Sequence, residues 1–335
     1  MKPLLFAAAG LLVVASSTLA ISFDTLNPVQ SVPPEIAGRF RDPRGFQQSA
    51  SGEYFVFDRR AHAVWGIDSR LEGAFQIVDI GAEPGRILDP TSFAVAPDGS
   101  FVVADAPRGL ARIQAFTSTG TRTAGFFVDQ AARPRITIDN TVMSGIGTLQ
   151  FTGSSVLLSQ PENGALVSEY TLAGQPTRSV GALRATGHES VRDVHIALNS
   201  GIPLLVPSGS LYYVFQAGLP VFRKYDSAGQ LVYERQIQGR EIDELVTMLP
   251  SSWPRNPADG ELPLVRPTVR AAALDAAERL WIAFDAGFTY VFDRDGVKIR
   301  AVRFRGVGAV SPTTMFFGPG GRLLVTPGLH EFDVN

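Results

Sequence analysis

Cysteine is absent from all 335 residues, and that absence alone removes several kinds of chemistry. No disulfide can form, no lipid can be attached to a cysteine at a processing site, and thiol catalysis and thiolate metal sites are excluded. Charge of one sign is lacking too: 30 Lys and Arg stand against 32 Asp and Glu, a formal net charge of −2. A nucleic-acid partner usually demands a basic face, so this balance argues against one. Helix-period patterning is nearly absent, and beyond the first residues no apolar run is long enough to span a bilayer.

The first residues stand apart. Met1-Lys2 is a short basic start, Leu4–Val14 an apolar stretch, and Ser16–Ala20 supplies small residues, with Thr18 and Ala20 suiting positions −3 and −1 of a cleavage site. Residues 1–20 read as a secretory signal peptide, with an uncleaved anchor as the other reading. No basic cluster follows that would stop transfer. Lys2 is the only charge in residues 1–20, so its removal takes the net charge from −2 to −3. The expected location is periplasmic or extracellular. A disulfide-free exported chain must stabilise itself through its core, which more than 300 residues can do.

What the chain has is turns and short strands. Its 33 glycines and 23 prolines punctuate short apolar runs. Phe116-Thr-Ser-Thr-Gly120, Tyr170-Thr-Leu-Ala-Gly174, Tyr225-Asp-Ser-Ala-Gly229 and Phe292-Asp-Arg-Asp-Gly296 each set an aromatic four residues before a glycine. The aromatic suits the last core position of a strand, and the glycine supplies the positive φ of a tight turn. Upstream lie Phe101–Ala104, Val156–Leu158, Leu204–Val206 and Leu280–Phe284. A supersecondary unit repeated in this way is the signature of a β-propeller.

Residues 21–35 read as an extended lead-in, and units run from Gly45 to Gly81, Pro90 to Val128, Gly145 to Leu183, Val191 to Ile237 and Thr268 to Phe304. The last, Pro312–Val334, has room for three strands only: Thr313–Phe317, Arg322–Thr326 and His330–Val334. A ring must close, so Ile36–Arg41 is expected as the fourth strand, beside His330–Val334. The expectation is an all-β, six-bladed propeller of four-stranded antiparallel blades, closed by an N-terminal strand and spanning residues 36–335. Arg300, Arg303 and Arg305, with Arg39 and Arg41, read as charges guarding outer edges. Gln238–Arg266 (residues 238–266) is a long insertion. Within it Arg240–Leu249 has Ile242, Leu245, Val246 and Leu249 on one helical face, followed by Trp253.

Pro-x-x-Phe-Ala-Val-Ala-Pro-Asp-Gly-Ser-Phe-Val-Val-Ala-Asp, from Pro90 to Asp105, then Arg-Ile-Gln-Ala-Phe and a glycine turn, resembles an NHL repeat of a six-bladed propeller. The resemblance is specific in this unit, weaker around Ala271–Phe304 and only periodic elsewhere. Calcium-dependent lactonases of this shape are expected, by that resemblance, to hold the ion with a Glu and several Asn or Asp near the axis. The amidating lyases of the family are expected to need several matched histidines.

Neither set stands out here. The inner-strand starts read as Arg44-Gly45-Phe46, Thr91-Ser92, Ser144-Gly145, Arg192-Asp193, Arg270-Ala271 and Thr313-Thr314, with Asp193 the one carboxylate, whereas calcium wants six to eight oxygens. Asp293-Arg-Asp295-Gly296 lacks the third ligand and distant Glu of a calcium loop. Of His62, His188, His195 and His330, only His188 and His195 are near in sequence, and no third ligand accompanies them. No Gly-x-Ser-x-Gly elbow and no phosphate-cradling glycine loop occurs; Gly145-Ile-Gly147 lacks a third glycine. Asp58, Asp105 and Asp285 recur at one repeat position, as turn caps do.

The positive candidates are Arg44, Arg192, Asp193, His195 and Arg270, expected around one channel opening. Trp253 joins them in the insertion, which suits a lid or binding loop. Three arginines suit a carboxylate or phosphate, and inter-blade ion pairing is the plainer reading. The expected role is a binding or scaffold module for a protein, peptide or glycan partner, with no cofactor, no metal and no membrane span after leader removal. The alternative is a calcium-dependent, lactonase-like hydrolase at the channel mouth.

Overall fold

In the strand Leu280–Phe284 every residue is buried, because both of its faces meet a neighbour. Side chains alternate along a strand. Leu280, Ile282 and Phe284 pack one way with Tyr212 and Phe222, while Trp281 and Ala283 pack the other way with Leu323 and Phe332. A sheet sandwiched between two others therefore reads as a continuous apolar run. Six such sheets in a ring make the propeller, and one apolar cluster fills each gap between neighbouring blades.

The computed structural model describes residues 23–128, 136–138, 141–143, 148–256 and 262–334. Blade 1 consists of Pro43–Gln48, Tyr54–Asp58, Ala63–Ile67 and Ala74–Val78, and blade 2 of Ser92–Val95, Phe101–Asp105, Arg112–Phe116 and Arg122–Phe127. Blade 3 is Leu149–Phe151, Ser155–Ser159, Ala165–Thr171 and Pro176–Ala182; blade 4 is Gly201–Leu205, Leu211–Phe215, Val221–Tyr225 and Leu231–Gln236. Blade 5 is Val269–Leu274, Leu280–Phe284, Thr289–Phe292 and Lys298–Arg305. Each is an antiparallel meander, running from the axis outward in chain order.

The four aromatic–glycine pairs do what their spacing implies. Gly120, Gly174, Gly229 and Gly296 have φ between 80° and 83°. Each aromatic packs back toward the preceding blade: Phe116 lies in the cluster between blades 1 and 2, stacked on Phe101 at 5.1 Å.

Blade 6 is built from both ends of the chain. Thr314–Phe317, Leu323–Thr326 and His330–Phe332 are joined by Pro28–Ser31, antiparallel, with Ser31 opposite His330. Just before it, Asp24–Leu26 runs parallel to the outer strand of blade 5, with Leu26 opposite Phe304. The ring is thus closed by an N-terminal strand from within residues 21–35, and not by Ile36–Arg41. That segment instead holds a short helix, α1 (Pro34–Ala37), and a turn. Pro33-Pro34 preset its first turn. Ile36 and Phe40, an i,i+4 pair, both face the cluster between blades 6 and 1. With a glycine between them, a helical pair and a strand alternation look alike in sequence.

The same N-terminal strand revises the edge arginines. Arg300 Nε donates to Asp24 Oδ2 at 2.6 Å, and Arg303 lies 4.1 Å over the Phe23 ring. They clamp a covering strand; they do not guard an open edge.

Three connections depart from the ring. Helix α2 (Arg192–Asn199) precedes blade 4, and helix α3 (Arg240–Thr247) follows it, burying Ile242 and Leu245 between blades 4 and 5. Strands 141–143, 136–138, Leu262–Val265 and Arg255–Asn256 form a small separate sheet. Antiparallel meanders return every blade-to-blade connection to the same face of the disc, so this sheet and α2 form one cap there.

Candidate ligand-binding site at the channel mouth

The six inner strands surround a central cavity of about 360 Å³ that opens on the capped face. Pairing with the second strands sets their common level. At the mouth stand Arg44, Thr91, Thr148, Gly201, Arg270 and Thr313; one step deeper are Gly45, Ser92, Leu149, Ile202, Ala271 and Thr314. Arg59 and Gln216 reach the same space from the loops after the second strands of blades 1 and 4.

Two of these strands are irregular. Register shifts between Pro43 and Gly45 in blade 1, and between Val269 and Ala271 in blade 5. The extra residue is an arginine both times, Arg44 and Arg270. The other four inner strands pair without a shift. A bulge re-aims the side chain it carries, here at the rim of the channel.

Aspartates hold both arginines. Arg44 Nε donates to Asp42 Oδ1 at 2.8 Å, and Asp42 Oδ2 lies 3.0 Å from Arg59. Arg270 Nε bonds Asp285. Asp42 is itself positioned by Asp58, which accepts the amides of Arg41, Asp42 and Ala61 at 2.7, 3.0 and 3.1 Å. Engaging Arg44 through Nε leaves both Nη groups without a partner among the described residues.

Between these two blades, Thr313 and Thr314 hydroxyls lie 2.9 and 2.6 Å from Thr326 Oγ1. Three hydroxyls sharing two hydrogen bonds keep one proton to donate. Gln47 and Gln150 stitch neighbouring inner strands, each accepting a backbone amide (of Val95 and Leu205) through Oε1. On the opposite side, half-buried Leu149, Ile202 and Leu204 line the cavity from the margins of the inter-blade clusters, beside Thr148 and Gln150. Arginine is the one charged residue type among the described lining residues; no carboxylate or imidazole stands there.

The structure separates the sequence candidates. Arg44 and Arg270 line the mouth; Arg192, Asp193 and His195 do not start an inner strand. They lie on α2, and the inner strand of blade 4 is Gly201–Leu205. Val194, Ala197 and Leu198, spaced i, i+3, i+4, bury that helix against Ala217 and Val265. Asp193 receives Arg255 at 2.9 and 3.2 Å, tying α2 to the small sheet. Arg192 reaches the Glu162 carbonyl at 3.5 Å. His195 Nδ1 is 2.7 Å from Thr186 Oγ1. Glu189 is held below the usual carboxylate range, first by the Thr186 amide, with help from Gly187 and from His195. Trp253 packs on the apolar side of α2. Ser144, Gly145 and Gly147 lie outside the described residues, as do residues 1–20.

Sequence reasoning missed Arg59 at the mouth and Arg184 under the cap. Burial, and then the nearby Arg223, bring Arg184 down to about 10. It lies 4.2 Å over the Phe215 ring and donates to the carbonyls of Leu198, Ala217 and Leu219 at 2.9, 2.7 and 2.9 Å, holding the C-terminal end of α2 to blade 4. The Asp-Arg-Arg run at Asp58 was the available signal for Arg59.

No protein-family model matches the chain, and no curated protein matches it. Solved structures do. Virginiamycin B lyase from Staphylococcus aureus superposes with a TM-score of 0.50 at 13% identity, covering 85% of this chain and 77% of the lyase. A streptogramin B lyase gives 0.50 at 11%, covering 88% and 93%. Kuenenia stuttgartiensis hydrazine synthase gives 0.49 at 11%, covering 86% and 93%. At these identities the likeness is one of fold.

Proposed function

We propose that this chain is an exported, NHL-type propeller that acts as a binding module for a protein, peptide or glycan partner meeting its capped face. The observation that carries this reading is the chemistry of the mouth. Arginines, hydroxyls and amides recognise ligands by charge and hydrogen bonds, and the described lining has no side chain suited to shuttle a proton at neutral pH. The cap adds a shaped wall beside the opening, where loops on a rigid scaffold commonly bind. The NHL assignment rests on Pro90–Phe116, and export on residues 1–20.

The lyases of like fold suggest catalysis, and the lactonases suggest calcium. A calcium ion wants several carboxylate or amide oxygens converging. Among the described residues no group of three His, Cys, Asp or Glu gathers that could hold a metal. A thermal melt with excess calcium and with chelator tests this directly, because a ligand of the native state raises the transition. No shift is expected; a calcium-dependent rise would move hydrolase chemistry to the front. The binding reading itself is tested by probing peptide and glycan arrays with the purified protein. Retained ligands that survive unmodified are expected, and ligand cleavage would overturn it.

A further inference from the structure

We infer that the channel mouth is a receptor for an apolar carboxylate: a single carboxylate group at the end of a hydrocarbon chain or at the end of a peptide whose last residue is apolar. This rests on the binding-module reading and assigns its ligand chemistry.

The mouth has two unlike sides. Blades 5, 6 and 1 contribute Arg270, Thr313, Thr314 and Arg44 in succession, while blades 3 and 4, across the axis, contribute no charged side chain among the described lining residues but Leu149 and Ile202 beside Thr148 and Gln216; deeper, Phe46 and Phe316 add apolar lining from blades 1 and 6. The arginines arrive by a repeated irregularity. Among the described residues of the six inner strands, only the strands flanking blade 6 carry a bulge, and both bulges carry arginine. The guanidinium fork matches a carboxylate bidentately, and Asp42 engages Arg44 through Nε, with no partner for the Nη pair among the described residues. The half-buried Leu149, Ile202 and Leu204 give an apolar tail somewhere to leave water. A cavity of about 360 Å³ falls within the size range of small-ligand sites. Neither a plain inorganic anion nor a neutral apolar molecule uses both sides.

Titration calorimetry on the full chain tests this with octanoate, its neutral isostere octanamide, octyl phosphate and acetate, and with a tripeptide ending in leucine beside its C-terminal amide. Octanoate is expected to bind at least about tenfold tighter than octanamide, since a hydrogen bond to a charged group contributes about 1.5–3 kcal/mol. It should exceed acetate as well, and octyl phosphate binding tighter than octanoate would overturn the choice of a carboxylate. Binding of the tripeptide, but not its amide, would place the carboxylate at a peptide end; octanoate alone would place it on a small molecule, and either supports the inference. Arg44→Met should weaken octanoate at least about tenfold. Asp42 keeps Arg59, so the variant is expected to fold, and a melt checks it. Arg44→Lys should recover part of the loss. Ile202→Asn should weaken octanoate without strengthening acetate.

Equal affinity for octanoate and octanamide, or octanoate binding untouched by Arg44→Met in a folded protein, would overturn the inference. Array ligands that bind regardless of Arg44 would leave the binding-module reading standing while this one falls. Silence from both arrays and calorimetry would remove both.

Discussion

The two halves of the ring differ in how they are made. Blades 2, 3 and 4 are continuous in chain order, their inner strands pair in unbroken register, and α2 of the cap rests on blade 4. Blades 5, 6 and 1 carry the chain ends, the added strand Asp24–Leu26, the closing strand Pro28–Ser31 and both arginine bulges. Every charged side chain among the described lining residues, Arg44, Arg59 and Arg270, comes from the irregular half. A repeat constrains what each position can hold; a bulge or a borrowed strand escapes that constraint, and both bulges here carry arginine.

The largest effect should come from removing the closure. A chain lacking residues 1–32 loses Leu26 and Val32 from the core and the outer strand of blade 6. Those two side chains alone are worth about 3–6 kcal/mol against a typical stability of about 5–15. No cooperative thermal transition is expected; an unchanged melting temperature would show that the ring holds without its borrowed strand.

Next comes the charge of the irregular half. Arg270→Met should lower octanoate affinity about tenfold and leave the cap intact. A matching loss from Ser92→Ala, at the regular half, would erase the distinction between the two sides.

The cap lock is smaller. Asp193→Asn breaks a partly exposed pair with Arg255, worth about 0.2–1 kcal/mol, so the melt should fall by about 2 °C or less. Faster amide exchange confined to α2 is the sharper readout. Exchange that spreads into blade 4 would mean the cap and the ring unfold as one.

The smallest effect is a pH dependence at the closure. Burial holds His330 below its ordinary value, and its Nδ1 lies 2.7 Å from Ser31 Oγ in the closing strand. Below an unfolded value of about 6.5 the unfolded chain binds more protons than the folded one. Stability should therefore be fully present above that pH and decline as pH falls beneath it. His330→Gln should flatten the decline; an identical slope in the variant would assign it to other groups.

Much of this fold could be read in the sequence, because local rules dominate it. Blade 2 is made of neighbours in the chain, and its turns carry glycine where φ is positive, as at Gly99 and Gly120. Misreadings fell where distant parts meet or where one pattern mimics another. Ile36 and Phe40 satisfy a helix as well as a strand. Around blade 4, Asp193 and His195 suggested a strand face, and Pro203 helped conceal the real inner strand; proline is tolerated there because an inner strand has one edge without a neighbouring strand. The better signal was Leu204-Leu205-Val206-Pro-Ser-Gly-Ser210, which repeats the Ala-Val-Ala-Pro-Asp-Gly-Ser run ending at Ser100. For the site, Arg44 and Arg270 were visible as residues, but their bulges were not, since an extra residue in one strand shows only against its partner. Arg59 is brought to the mouth by a loop whose neighbours are 17 residues away.

The most direct test of the two-sided mouth is a crystal of the protein soaked with 8-bromooctanoate, with the bromine located by its anomalous signal. The account predicts bromine beside Leu149 and Ile202, with the carboxylate toward Arg44 and Arg270. Bromine on the arginine side, or no bromine in the channel at all, would contradict it.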